Sequence, residues 1–237
     1  MTKRFLILFV CGILVLIVVC VILLGQGSSF FGGSRKIEVS NLKIDYGRTW
    51  YSDFQSTIYF RVKNLYSSQL TTVGLMVNGV NYGLSYLQVP SGQTVDWSGP
   101  LPNTAITSSS RYEIEMTFTF ADGTYQTNSE SYTTPEYKGQ IQMTTVSLTL
   151  STYLYYFHVE IKNTGNLPIM SAKYVFFGGF EGFFSPLYAA SGDTLVGGET
   201  LGLRGSMVVG SAYPVTIRVT YIGGSTSVLQ TSVIASK

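Results

Sequence analysis

The sequence predicts an all-β protein in which two tandem antiparallel β-sandwiches follow one N-terminal transmembrane helix. Three observations support this prediction: a duplicated set of alternating strands, hairpin signals after the duplicated strands, and a long apolar run near the N-terminus. Residues 111–120 and 212–221 show the duplication most clearly, because both alternate apolar side chains with mostly polar ones. A period of two is typical of a strand with one buried face.

The duplication extends beyond this one strand. The expected inward positions are Tyr112, Ile114, Met116, Phe118 and Phe120, which correspond after addition of 101 to Tyr213, Val215, Ile217, Val219 and Tyr221. Residues 58–64 match 157–163 in the same way, and both segments end in asparagine. The dipeptides Asp122-Gly123 and Gly223-Gly224 follow the long strands, and such pairs favour hairpin turns because both central residues adopt positive φ.

These patterns predict four segments. We expect a transmembrane anchor at residues 1–25, a flexible stalk at 26–35, a first sandwich at 36–135 and a second at 136–237. The chain of 237 residues is long enough for two domains of ordinary size. Residues 133–139 form the expected connection, which is short enough to place the two domains end to end.

Residues 5–24 predict the membrane span. This run contains no charged side chain, and about twenty helical residues cross the hydrocarbon core of a bilayer. Lys3 and Arg4 precede the run and favour a cytoplasmic N-terminus, which places the remaining chain outside the cell. A cleaved signal peptide is the alternative, with small residues at Gly25 and Gly27, but its apolar region is usually shorter. We therefore expect a single-pass protein of the cell membrane with extracellular C-terminal domains.

Charge and cysteine content exclude several classes of function. Without Lys3 and Arg4 the 15 basic residues fall to 13, which equals the 13 acidic residues. No basic stripe is left for a phosphate backbone, so we expect no nucleic-acid partner. Cys11 and Cys20 both lie in the apolar run, which leaves the predicted extracellular part without a disulfide or a thiol nucleophile.

No residue pattern predicts an active site. His158 is the single histidine, so a zinc site of the usual His and Cys type cannot form, and we expect no metal and no cofactor. Glu113 and Glu115 lie about 7 Å apart on one strand face, a spacing that also suits acid and base catalysis on a sugar. The counterparts of these residues in the second copy are Pro214 and Thr216, so the acidic pair is not repeated. We therefore expect Glu113 and Glu115 to be ordinary solvated side chains. For these reasons we expect that the protein is not an enzyme.

The two copies differ most at residues 176–188. The first copy has Asn78, Asn81 and Ser85 where the second has Phe177, Phe180 and Phe184. One interpretation is that these rings cap the sandwich or pack at the joint between the domains. The other is an exposed patch that binds a protein partner, since exposed apolar side chains mark interaction sites. That candidate patch contains Phe177, Phe180, Phe183, Phe184 and Tyr188.

A resemblance adds to this prediction. Residues 159–169, Val-Glu-Ile-Lys-Asn-Thr-Gly-Asn-Leu-Pro-Ile, resemble a motif of immunoglobulin-like modules in archaeal and bacterial surface proteins, often called CARDB-like. The chain is also similar to the ectodomains of archaeal type IV pilins and archaellum accessory proteins. The resemblance implies two tandem Ig-like sandwiches at the cell surface. The chain departs from the pilins at Lys3-Arg4-Phe5, because a type III cleavage site places a charged residue and a glycine just before the apolar run and this segment does not match that pattern.

Together these features predict a membrane-anchored extracellular structural or adhesion protein of the cell envelope. Its expected partner is a neighbouring envelope or filament protein, bound through sandwich faces or loops. One alternative is a subunit or accessory protein of a type IV pilus-like or other extracellular filament. A second alternative is a secreted carbohydrate-active protein.

Overall fold

The structure of the chain, a computed structural model, describes residues 35–49, 53–102, 104–151, 154–201 and 207–237. Residues 37–237 form one compact unit. The predicted anchor at residues 1–25, and the predicted stalk at 26–35 except its last residue, lie outside the described residues. Within the described ranges, no helix has the length and apolar character to cross a membrane.

The described part of the chain is all-β, as predicted, with one turn of 3₁₀-helix. The N-terminal half contains β1 (Ile37–Arg48), β2 (Phe54–Asn64), β3 (Leu70–Val77), β4 (Val80–Val89), β5 (Thr94–Pro100), β6 (Arg111–Phe120) and β7 (Tyr125–Thr133). The C-terminal half contains β8 (Ile141–Leu150), β9 (Tyr155–Asn163), β10 (Ile169–Phe176), β11 (Phe180–Phe183), β12 (Thr194–Leu201), β13 (Ala212–Tyr221) and β14 (Thr226–Ser236). The 3₁₀ turn, Phe177–Gly179, lies between β10 and β11.

The strand order of the first half is repeated in the second. The first half forms a three-stranded sheet, β1-β2-β5, and a four-stranded sheet, β4-β3-β6-β7. In the second half β8-β9-β12 and β11-β10-β13-β14 have the same order. There the two groups are joined by a short parallel contact in which Ala235 pairs with Leu148. All other strand pairs are antiparallel, as expected for a β-sandwich.

The inward faces of β6 and β13 carry much of the core. Their predicted inward residues are all buried, with at most 6 % of any side chain exposed. Burial of each such aromatic or aliphatic side chain contributes about 1.5–3 kcal/mol. The buried side chains form two separate clusters, one from each half of the chain. The alternation in the sequence therefore identified the core positions of these two strands correctly.

A tyrosine hydroxyl closes the loop before each of these strands. The Tyr112 hydroxyl accepts a hydrogen bond from the Thr107 backbone N–H at 2.9 Å. The Tyr213 hydroxyl accepts the equivalent bond from the Val208 N–H at 2.6 Å. Both bonds span five residues, so the same device recurs in both halves.

Buried asparagines fix the turn after β2 and after β9. Asn64 is fully buried, and its Nδ2 donates to the carbonyl oxygens of Ser68 and Val89, both at 2.9 Å. The equivalent Asn163 donates to the Leu167 carbonyl at 2.9 Å. Each side-chain oxygen accepts the backbone N–H two residues later. In the sequence these asparagines end the two matched segments, and the structure adds that both side chains cross-link the backbone of the following turn.

The segment between β7 and β8 is hydrogen-bonded to the N-terminal half. The Thr134 hydroxyl donates to the Thr107 carbonyl oxygen at 2.6 Å. The Tyr137 backbone N–H donates to Ser108 Oγ at 2.7 Å, and the Tyr137 hydroxyl donates to Asp45 Oδ1 at 3.1 Å. Burial, and after it Asp45, raises the pKa of Tyr137 far above its usual value.

The same segment is hydrogen-bonded to the C-terminal half. Asn166 Nδ2 donates to the Glu136 carbonyl at 2.8 Å, and the Lys138 N–H donates to Asn166 Oδ1 at 2.6 Å. The Gly165 N–H donates to the Gln140 carbonyl at 3.0 Å. This connection is therefore held along its length and does not act as a free hinge.

Candidate functional site

The residues considered for catalysis lie on outward strand faces. Glu113 Oε1 lies 2.6 Å from Arg111 Nε in an exposed ion pair. His158 Nε2 lies 3.1 Å from Glu160 Oε1, and both side chains are partly exposed. Across the described ranges, no three His, Cys, Asp or Glu side chains are grouped as metal ligands. Both pairs are open to solvent, and the Glu113 side chain lines a shallow depression together with Glu115.

The aromatic segment of the second half is divided between the core and the surface. Phe184 is only 2 % exposed and meets the Tyr174 ring edge to face, with the ring centroids 5.6 Å apart. Phe180 is half-buried and packs against the same core, and Tyr188 is also half-buried. These residues therefore contribute little to an external surface.

Phe177 and Phe183 are the two members of the predicted patch that face solvent. The Phe177 ring packs edge to face on Tyr213 at 5.0 Å, which leaves part of the ring accessible. Phe183 is 67 % exposed and pairs across the strands with Lys173. A role of these rings in binding a protein stays a prediction.

Phe183 lies at the end of a row of side chains that crosses the outward face of the second half. Phe183 pairs with Lys173, Lys173 with Arg218, and Arg218 with Val228 in the strand register. A groove of about 380 Å³ lies over this row. We call it the C-terminal groove and define it by Lys173, Phe183, Arg218, Thr220, Val228 and Gln230.

The equivalent face of the first half has a different chemistry. Its corresponding row contains Leu84, Gly74, Thr117 and Thr127. The adjacent row ends in two exposed tyrosines and contains Tyr86, Thr72, Thr119 and Tyr125. We call these two rows the N-terminal face. Leu84, Tyr86 and Tyr125 are 75 %, 89 % and 70 % exposed, so large apolar groups face solvent here.

The sequence alone did not identify either face. The outward positions of β6 and β13 were visible, and Thr117 and Arg218 differ by the offset of 101 that relates the two copies. A comparison of outward positions at that offset could have shown that the two faces differ in charge. It did not give the partner positions on β3 and β10, because these depend on strand register.

No known family model matches the chain, and no curated protein matches its sequence. Several solved structures are similar to it at a distance. A red sea bream transglutaminase has 9 % identity and a TM-score of 0.29, and the match covers 86 % of this chain but 32 % of the transglutaminase. The fibronectin(III)-like modules of Clostridium thermocellum CbhA have 8 % identity and a TM-score of 0.29, with 84 % of this chain and 94 % of the modules covered.

The YadV chaperone has 11 % identity and a TM-score of 0.29, with 84 % of this chain and 100 % of the chaperone covered. These superpositions are too loose to carry an argument about function. The candidate site therefore rests on the geometry of the two faces.

Proposed function

We propose that the chain is a membrane-anchored extracellular structural or adhesion protein of the cell envelope, built from two tandem Ig-like β-sandwiches. The repeated strand order and the two separate cores support the tandem arrangement. The hydroxyls of Tyr112 and Tyr213 support the Ig-like assignment, because such sandwiches use a tyrosine bonded to backbone upstream of its strand. Residues 5–24 are the proposed anchor.

The proposed role is binding of a neighbouring surface protein, without catalysis. The observation that carries it is the exposure of Leu84, Tyr86 and Tyr125 on one sheet face. Tyrosine and leucine bury much apolar area when a partner covers them, and tyrosine also offers a hydroxyl for hydrogen bonding. The polar residues between them, Thr72 and Thr119, fit the mixed composition of protein interfaces that form and dissociate.

Membrane anchoring is tested by fractionation of cells that produce the full chain. We expect the protein to stay in the membrane pellet after alkaline carbonate extraction. External protease added to intact cells should digest the part that follows the anchor. Release by carbonate, or full protection in intact cells, would refute this part of the proposal.

The binding role is tested with a photo-crosslinker attached through a cysteine at position 86. The variant Tyr86→Cys places the reagent on the N-terminal face, and Ser98→Cys places it at an exposed position in the other sheet of the same half. Cells carrying Tyr86→Cys should give one discrete crosslinked envelope protein, which the added change Leu84→Ser should weaken. Equal products from both positions would contradict a specific interface at this face.

A further inference from the structure

Two cations face each other in the C-terminal groove. Lys173 on β10 is directly opposite Arg218 on β13. Side chains at such positions have Cβ atoms about 4.5–5.5 Å apart, and like charges there are destabilising. The cost falls when an anion lies between the two groups.

The lysine of the groove has an acidic partner on the neighbouring strand β11. Glu181 Oε2 lies 3.2 Å from Lys173 Nζ. Arg218 is exposed and takes part in none of the ion pairs found among the described residues. Its guanidinium is available to an external anion.

The N-terminal half shows that this charge arrangement is not required by the fold. At the positions equivalent to Lys173 and Arg218 it has Gly74 and Thr117, in the same strand register. The position equivalent to Phe183 is Leu84. The two cations and the aromatic ring therefore occur together on one copy of the fold only.

We propose that the C-terminal groove binds an acidic polysaccharide through a uronic acid unit. Arg218 pairs with the carboxylate, because a guanidinium matches a carboxylate with two parallel hydrogen bonds. Lys173 supplies a second positive charge beside it. The exposed Phe183 ring lies against the apolar face of a sugar ring. Thr220 and Gln230 line the groove and exchange hydrogen bonds with sugar hydroxyls.

Strand arrangement favours a glycan over an acidic peptide as the ligand. Extended peptides usually bind a sheet at an edge strand, where main-chain groups are unpaired. The groove lies over β10, β13 and β14, each of which has a neighbour on both sides in the order β11-β10-β13-β14-β8, and it reaches the edge strand β11 only at Phe183, the last residue of that strand. Recognition in the groove therefore depends on side chains, and a hydroxyl-rich ligand fits side chains that both donate and accept.

The ligand class is tested by calorimetry on the full chain purified in neutral detergent. The probes are an oligogalacturonate and its methyl ester, which is the same sugar with the carboxylate charge removed. We expect the acid form to bind and the ester to bind at least about tenfold more weakly, since hydrogen bonds between charged groups have this magnitude.

Four variants locate the site. Arg218→Ala should weaken binding of the acid form by about tenfold or more, and Phe183→Ala should weaken it several-fold. Leu84→Ala and Thr117→Ala, the matched changes on the N-terminal face, should leave the affinity for the oligogalacturonate unchanged, whatever their effect on a protein partner of that face. All four positions are partly or fully exposed, and a thermal unfolding curve confirms that each variant is folded.

Three results would overturn the inference. The first is no binding of the acid form by the folded wild-type chain. The second is equal binding of the acid and its ester, or no effect of Arg218→Ala. The third is full competition by polyglutamate together with no effect of Phe183→Ala, which would identify an acidic peptide instead. None of these results depends on membrane anchoring or on the crosslinked partner, so this inference and the proposed function fail separately.

Discussion

Arg48 at the end of β1 forms an ion pair with Asp193, which immediately precedes β12. The pair joins the N-terminal half to the C-terminal half directly, in addition to the segment between β7 and β8. The Arg48 guanidinium also lies 5.3 Å from the centroid of the Phe54 ring. Asp193 in turn accepts a hydrogen bond from the Ala190 N–H at 2.8 Å, which orients its carboxylate. Among the described residues, the ion pair therefore joins the halves independently of the segment between β7 and β8.

Removal of this ion pair should have a small effect on stability. Both side chains are substantially exposed, and exposed pairs contribute about 0.2–1 kcal/mol. We expect Arg48→Ala, Asp193→Ala and the double variant to lower the free energy of unfolding by about 1 kcal/mol or less. Urea titration of the three variants measures the coupling between the residues. A coupling energy above about 2 kcal/mol would mean that the pair is shielded from water.

A methyl group at position 165 should disturb the joint more strongly. A Cβ on Gly165 would collide with the carbonyl oxygen of Lys138, and backbone cannot move aside as a flexible side chain can. We expect Gly165→Ala to lower the free energy of unfolding by about 1–3 kcal/mol. Gly79→Ala is the control, since its Cβ meets no atom and it tests the positive φ alone. Equal losses in both variants would contradict the steric explanation.

The tyrosine hydroxyls should contribute equally in the two halves. Tyr112→Phe and Tyr213→Phe each remove the acceptor of a backbone N–H while keeping the ring in the core. Both hydrogen bonds are partly buried, and such a bond contributes about 0.5–1.5 kcal/mol net, so we expect a loss in this range from each variant. Denaturant unfolding measures both. A loss of stability in only one of the two variants would show that the two equivalent hydrogen bonds do not contribute equally to stability.

Substitution of the adjacent residues Phe183 and Phe184 should change the free energy of unfolding by very different amounts. Phe184→Ala leaves a cavity in the core and should cost about 3–5 kcal/mol. Phe183→Ser changes an exposed ring and should alter stability by about 0.5 kcal/mol or less. Thermal and chemical unfolding of the two variants provide the comparison. Similar losses would mean that Phe183 is covered in solution.

Alkaline pH should destabilise the chain through Tyr137. Burial raises the pKa of Tyr137 in the folded state, and Asp45 adds to the effect. The unfolded tyrosine therefore loses its proton first, and the stability present below about pH 10 falls as the pH rises above that value. Burial also raises the pKa of Tyr46 and Tyr132, so part of the loss should remain in Tyr137→Phe. Melting temperatures between pH 8 and 11 should fall less steeply for this variant than for wild type.

The sequence predicted β6 and β13 and the matching parts of β2 and β9, because burial on one face leaves a period of two in the side chains. Tyr112 and Tyr213 were placed inward for this reason, and both are buried. The sequence did not separate Phe183 from Phe184. A strand reverses every side chain when its register slips by one residue, and β11 is only four residues long.

The contacts at the joint and the residue pairs of the C-terminal groove could not be predicted from the sequence. A short connection at residues 133–139 was evident, but its bonds to Thr107 and Asn166 join positions far apart in the chain. The pairing of Lys173 with Arg218 depends on a register shift near the start of β10. Such contacts leave no periodic pattern in a single sequence.

The segment between β7 and β8 is hydrogen-bonded to both halves of the chain, and this has a consequence for avidity. Thr134 and Tyr137 fix this segment to one half, and Asn166 fixes it to the other. These contacts hold the N-terminal face and the C-terminal groove at one distance and in one relative orientation. A partner held on one surface therefore presents any second epitope at a set distance from the other surface. Ligands with matching spacing gain a high effective concentration, and ligands with a different spacing gain none.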